Sequence, residues 1–164
     1  MIVVGIDIGL TGALAAVDSR GTAAVRDLDT VPDGKGRRLD ARALLLAIRD
    51  YVRIGEAALI VFEDVRARPM GNGNAQGNTM HSQGSLMRSR GIVEAVADIT
   101  RLEVLVVQPQ TWKRHYGLIG KPKGASADTA RGLFPLLQPQ LKRVKDHNRA
   151  EALLLAQYGI GVRS

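Results

Sequence analysis

The hydrophobic pattern of the chain changes period as it is followed from the N-terminus. Residues 2–8, IVVGIDI, are apolar and β-branched around one acid, the pattern of a buried strand. Gly9 and Gly12 permit a tight turn, and 13–19, ALAAVDS, returns as a second strand. Arg20-Gly21 turns the chain again into a third strand, AAVRDLDTV at 23–31. Links this short require three antiparallel strands. The segment PDGKGRR, 32–38, reads as a polar connection. After Asp40, a helix cap, the spacing of Leu44, Ile48, Tyr51 and Val52 predicts a helix over 41–54 that ends before Gly55. ALIVFEDV, 58–65, is a fourth strand, and the helix before it implies a crossover to a parallel neighbour.

The stretch RARPMGNGNAQGNTMHSQG, 66–84, holds much Gly and Asn and little to bury, so a long loop of functional character is expected. A helix follows over 85–98, with Met87, Ile92, Val93, Val96 and Ala97 as apolar anchors. EVLVVQP, 103–109, is a fifth strand, TWKRHYG a short helix, and GKPKGAS, 120–126, a basic loop. Ser126 is expected to cap a helix running to 134, which Pro135 ends. The last helix is expected from Asp146 to 158, with Gly159 as its stop. The order β-β-β-α-β-α-β-α-α predicts an α/β domain over residues 1–164: a mixed five-stranded sheet with helices on both faces. Three antiparallel opening strands do not suit a dinucleotide-binding fold, and GIDIGLTG lacks the glycine spacing of a pyrophosphate loop.

Composition narrows the classes that remain. A chain of 164 residues, 45% apolar and 24% charged, suits one domain with a real core. Cysteine is absent, which excludes disulfide scaffolds, thiolate zinc sites and cysteine nucleophiles. The first residues carry no basic leader, and no apolar run approaches the roughly 20 residues of a membrane span. A cytoplasmic protein without membrane contact is therefore expected. Lys and Arg number 23 against 16 Asp and Glu, a formal net charge of +7, and 17 of the cations are Arg. Arginine's planar fork suits phosphate, so the balance points to a polyanionic partner.

Three acids stand where acids are expensive. Asp7 lies inside an apolar strand, Glu63 inside LIVFED, and Glu151 directly before the apolar run of the last helix. Burying a carboxylate costs several kcal/mol unless it is compensated. Each has a structural explanation alone: a strand end bonding the Gly9 turn, a solvent-facing neighbour of Phe62, a first-turn acid favoured by the helix dipole. Together they describe a self-repelling cluster that needs cations, and a set of oxygen ligands selects Mg²⁺ or Mn²⁺. His147 lies four residues before Glu151 on the same helix face and is either a surface residue or a ligand. Asp146 is either the helix cap or a further ligand.

The stretches GIDIGLTGALAAVD, EDVRARPMGNGNAQGNTMHSQGSLMRSRGIVEA, VVQPQTWKRHYGLIG and KDHNRAEALLLAQYG resemble the RuvC family of Holliday junction resolvases, in its phage and prophage version. That family belongs to the RNase H-like nuclease superfamily. The opening GxDxGxxG alone is unspecific, since actin-like ATPases share something similar; those need two such domains and a far longer chain. The resemblance implies two divalent metals held by a first-strand Asp, a fourth-strand Glu and two carboxylates of the last helix. Asp7, Glu63 and Glu151 match three of these positions. The family's remaining helix acid sits three or four residues before the last, where this chain has Asn148 and His147. His147 is the preferred occupant and Asp146 the fallback. The implied reaction is metal-dependent resolution of four-way DNA junctions by paired symmetric nicks, leaving 5′-phosphate and 3′-hydroxyl ends.

The cations cluster around segments that carry these acids. Arg66 and Arg68 follow Glu63, Arg88 and Arg90 accompany the next helix, and Lys113 and Arg114 follow the fifth strand. Lys121 and Lys123 sit in the basic loop, while Lys142, Arg143 and Lys145 lead into the last helix. As a set they read as a phosphate-binding surface for duplex arms. Two Phe, three Tyr and one Trp are too few for a stacking platform on single strands, and Trp112 reads as a core or loop anchor. Gln76, Asn78, His81 and Gln83 of the long loop are candidates to enter the junction centre. Two matched nicks imply a homodimer, for which the helix at 85–98, with Met87, Ile92 and Val96, offers a contact unless those residues pack on their own sheet. Two alternatives remain: a nuclease of the same fold acting on forks and flaps more broadly, and a non-catalytic DNA-binding module.

Overall fold

Strand alternation decides which face of the sheet each residue serves. The computed structural model describes residues 1–67 and 79–163. Its sheet is built from β1 (Ile2–Asp7), β2 (Ala13–Asp18), β3 (Ala23–Asp27), β6 (Ala58–Glu63) and β7 (Glu103–Val107), in the order β3-β2-β1-β6-β7. Between β3 and the first helix, β4 (Thr30–Asp33) and β5 (Gly36–Leu39) form a separate hairpin. β1–β2 and β2–β3 pair antiparallel, whereas β1–β6 and β6–β7 pair parallel. This is the mixed, five-stranded RNase H-like arrangement expected from the sequence, with β1 at its centre.

Helices cover both faces. α1 (Ala41–Tyr51) and α2 (Met80–Thr100) pack over Val4, Ile6, Ile60 and Phe62. On the other face, α3 (Pro109–His115), α4 (Gly124–Leu133) and α5 (His147–Arg163) pack over Val3, Val17, Leu59 and Val61. Two 3₁₀ turns, Pro135–Leu141 and Val144–Asp146, join α4 to α5. The long helix α5 lies unusually close to β1. A Cβ on Gly5 would stand 2.1 Å from the Ala152 carbonyl oxygen, and one on Gly159 would stand 2.7 Å from both Val3 and Val61. Small residues at these crossings let the helix backbone rest directly on the strand.

Several boundaries differ from the sequence reading, each for a physical reason. The polar connection at 32–38 forms the turn and part of both strands of the β4–β5 hairpin, closed by Gly34 at φ 57°. The expected third strand at 23–31 accordingly ends at Asp27. Part of the expected loop 66–84 is helical, because Thr79 and Ser82 form a reciprocal capping box that starts α2 at Met80. The expected cap Ser126 lies inside α4, which starts at Gly124. α5 continues past Gly159 to Arg163, since that glycine serves close packing against the sheet and not termination. Asp40 does cap α1, accepting a bond from the Ala43 amide at 3.0 Å. Within α2, Val96 is buried and Ile92 packs on the same core, so these two candidates for a dimer contact serve their own sheet.

Candidate active site

The carboxyl ends of two neighbouring parallel strands define one corner of the molecule. Ile6 pairs with Phe62, so Asp7 and Glu63 end their strands side by side. Odd-numbered positions of β1 and β6 face α5: Val3, Leu59 and Val61 all belong to that core. Asp7 and Glu63 therefore share the α5 face, and α5 begins there with Glu151 in its second turn. Asp64, one position on, lies on the opposite face.

The three acids interact. Burial pushes the Asp7 carboxyl well above the ordinary Asp range, the charges of Glu151 and Glu63 push it further, and Lys113 opposes them. No side chain among the described residues donates a hydrogen bond to Asp7. Glu63 and Glu151 are held more firmly. The indole Nε1 of buried Trp112 donates to Glu63 Oε1 at 2.9 Å, and the Ser126 hydroxyl donates to Glu151 Oε1 at 3.2 Å. Lys113 Nζ stands between them, 3.6 Å from Glu63 Oε1 and 3.9 Å from Glu151 Oε1. Among the described residues, a single ammonium thus offsets the charge of the three acids.

Among the described residues, no group of three or more His, Asp or Glu side chains is drawn together closely enough to hold a metal ion. The donor set nevertheless has the chemistry of a hard divalent cation: three carboxylates, one of them resisting ionisation, with one weakly placed monovalent counter-charge. Side chains of this type fit Mg²⁺ or Mn²⁺.

The start of α5 sorts the remaining candidates. Asp146 is buried at the end of the 3₁₀ turn, and both its oxygens are engaged by Arg143, through the backbone amide at 2.8 Å and the guanidinium at 2.9 Å. The Arg143 hydrogen bond holds the Asp146 carboxyl below the ordinary range. His147 is half-exposed, with Nδ1 3.0 Å from the Val144 carbonyl oxygen. A carbonyl oxygen only accepts, so Nδ1 is the donor in that contact, and in the neutral ring Nε2 is then the acceptor nitrogen. Asn148, on the Glu151 side of the helix, donates to the carbonyl and hydroxyl of Thr11 in the turn after Asp7. Arg149 clasps Asp27 at the end of β3. The first turn of α5 is thereby fastened to the β1–β2 turn and to the sheet edge.

Beside the acids runs an open groove of about 1200 Å³, lined by Thr11, Glu63, Arg66, Gln83, Gln108 and Arg114 among others. Its floor holds Asp64, which receives Arg66 Nε at 2.8 Å, Arg90 at 2.7 Å and Gln108 at 2.6 Å. These bonds, those from Arg66 and Arg90 above all, bring its pKa down to about 2. Arg90 also holds Glu94, whereas Arg88 pairs with Asp33 of the hairpin. Lys121, Lys123, Lys142, Arg143 and Lys145 are exposed on the loops around α4 and the start of α5. His81 is exposed on the first turn of α2. Arg68, Gln76 and Asn78 lie outside the described residues. The sequence reading missed the roles of Trp112, Ser126, Asn148 and Asp64. Only Asp64 left a signal there, since alternation sets neighbouring strand residues on opposite faces.

Comparison with known proteins adds the fold's relatives. No family model matches the chain. A 51-residue stretch, 30% of the chain, is 51% identical to part of a chloroplastic Holliday junction resolvase of Chlamydomonas reinhardtii and takes in 6% of that protein's length. Among solved structures, Thermus thermophilus RuvC in complex with a Holliday junction substrate superposes with a TM-score of 0.62 at 17% identity, over 99% of this chain and 96% of that one. The fowlpox virus Holliday junction resolvase gives 0.51 at 16% identity over 99% of both chains. The yeast mitochondrial Holliday junction resolvase gives 0.57 at 12% identity, over 96% of this chain and 77% of that one. The chain thus shares its overall fold with these solved structures, an RNase H-like α/β arrangement of a mixed five-stranded sheet with helices on both faces.

Proposed function

We propose that the protein is a metal-dependent endonuclease that resolves four-way DNA junctions by paired symmetric nicks, leaving 5′-phosphate and 3′-hydroxyl ends. The observation that carries this reading is the meeting of Asp7, Glu63 and Glu151 at one corner of a RuvC-type fold, with the Lys113 ammonium between two of them. Asp7, Glu63 and Glu151 would hold two Mg²⁺ or Mn²⁺ ions. His147 is the favoured fourth ligand because its Nε2 is the acceptor nitrogen of the neutral ring, whereas both Asp146 oxygens are taken by Arg143. Bound there, the ions would supply an activated water and charge stabilisation for phosphodiester hydrolysis.

The chain's own residues do the rest. Asp7, on the central strand, has the most rigid mount of the three acids that would hold the ions. Lys113 offsets part of the repulsion among the acids and, as a cation beside them, would favour an approaching phosphate. Arg66 and Arg114 line the groove as phosphate contacts, with Gln83 beside them. Arg88, Arg90, Lys121, Lys123, Lys142, Arg143 and Lys145 complete the proposed duplex-binding surface, and Arg68 and Gln76, outside the described residues, are assigned to DNA contact from the sequence alone. A homodimer supplies the two matched nicks. The motifs from Glu63 onward and the DHNRAEALLLA tail ally the chain with phage and prophage resolvases.

Incubation of the protein with a labelled synthetic four-way junction, a fork and a flap, each with Mg²⁺, Mn²⁺ or EDTA, tests this. Symmetric metal-dependent nicks on the junction support it. Equal cutting of all three substrates replaces it with a general branched-DNA nuclease, and no cutting with either metal replaces it with a DNA-binding module.

A further inference from the structure

Buried indole groups need a partner for their N–H, and the one tryptophan of the chain has found an unusual one. Trp112 is fully buried in the first turns of α3, and it spends its only polar hydrogen on Glu63, at 2.9 Å from Oε1. Its ring is oriented in turn. Tyr116 meets it edge-on with centroids 6.5 Å apart, and the Tyr116 hydroxyl donates to the Leu154 carbonyl of α5 at 3.1 Å. A chain of contacts therefore runs from the helix that carries Glu151, through two aromatic rings, to the carboxylate of Glu63.

All the side-chain partners on the two glutamates fall on one oxygen of each. Trp112 and Lys113 meet Glu63 Oε1, while Ser126 and Lys113 meet Glu151 Oε1. The second oxygen of each carboxylate has no side-chain partner among the described residues. We propose that Trp112 is a positioning residue: its indole N–H fixes the rotation of the Glu63 carboxylate, so that Oε2 is presented to the cation. This rests on the reading of Glu63 as a metal ligand. A carboxylate held by a rigid donor loses less freedom on binding an ion, and removing such an outer partner costs about 10- to 100-fold in metal affinity or activity.

The single tryptophan makes the test clean. Biosynthetic replacement of tryptophan by 3-benzothienylalanine alters only position 112, keeps the ring's size and substitutes sulfur for N–H. Trp112→Phe is the genetic counterpart, and the analogue decides the matter if that variant does not fold. Calorimetric titration with Mn²⁺ alone should show affinity reduced about 10- to 100-fold in the analogue-bearing protein. Junction nicking should fall at low Mn²⁺ and recover at high Mn²⁺, which a merely structural defect does not do. In the unsubstituted protein, Mg²⁺ alone should change the Trp112 fluorescence, and Glu63→Gln should abolish that response. Native Mn²⁺ affinity and native nicking with the analogue would overturn the role of Trp112 and leave the nuclease reading standing. An unsubstituted protein that neither binds Mn²⁺ nor cuts a junction would overturn the nuclease reading, and this inference with it.

Discussion

Substituting Gly5→Ala should uncouple the two halves of the site without touching an acid. A Cβ there would lie 2.1 Å from the Ala152 carbonyl oxygen and 2.5 Å from the Ala156 nitrogen. Ordinary contact starts near 3.4 Å, so α5 must retreat from β1 by about 1.3 Å. Overpacking costs about 1–3 kcal/mol when flexible side chains give way. Here both opposing atoms are backbone, so about 3 kcal/mol is expected. For a domain of this size that is a fall in Tm of roughly 6–12 °C. Glu151 precedes Ala152 and moves with it, away from Asp7 and Glu63. Misplacement of a reacting group by about 1 Å costs on the order of 10²-fold in rate. Thermal unfolding followed by circular dichroism and single-turnover nicking of a four-way junction read the two effects. Gly161→Ala, on the same helix but facing open space, is the control and should raise Tm slightly. A Gly5→Ala protein with native Tm and native nicking would refute the argument that this close approach holds the site together.

Three further outcomes follow from the same geometry. Asp7→Asn should abolish nicking while preserving junction binding, measured by gel shift. With metal chelated it should also be the more stable protein at neutral pH. The raised Asp7 pKa makes its stabilising contribution complete below the ordinary value near 3.9, and that contribution is lost as pH rises through the folded-state value. The variant lacks that loss, so denaturant curves of the two proteins should diverge as pH rises; parallel curves would count against the buried, repelled carboxylate. His147→Ala should weaken Mn²⁺ binding in calorimetry, whereas Asp146→Ala should lower Tm with Mn²⁺ affinity nearly unchanged; the reverse pattern would make Asp146 the ligand. Junction affinity, by fluorescence anisotropy, should fall roughly 10³- to 10⁵-fold between 50 and 200 mM salt if about 6 to 10 phosphates are contacted, and a flat response would exclude a phosphate-dominated interface.

Period and alternation carried the sheet and its layers: IVVGIDI, ALAAVDS and ALIVFEDV are strands because their apolar runs leave them no other stable home. The acids Asp7, Glu63 and Glu151 were legible for the same reason, as charges inside apolar patterns. Features that depend on what lies across space were not. The hairpin around Gly34 buries little, so it leaves no apolar signature. The first turns of α2 depend on the Thr79–Ser82 cap and not on amphipathicity. Gly159 resembles a helix stop until Val3 and Val61 are seen beneath it. Ser126 reads in the sequence as a cap, and only the packing of α4 on α5 makes it a partner of Glu151. Trp112 was expected as an anchor, which it is, but the carboxylate at its N–H belongs to a strand 49 residues earlier.

The position of α5 on β1 has a kinetic side. Asp7 and Glu151 are brought together across roughly 140 residues of chain, and such distant pairings form only after nearer ones have offset the entropy of closing the loop. The acid corner is therefore assembled late, on a sheet already largely built. Repulsion created at that stage burdens the finished molecule more than the transition state that precedes it. It hastens unfolding and leaves the folding rate nearly untouched. A divalent ion settling among the acids, as proposed, would act on the same side of the barrier, as a latch on escape from the native state.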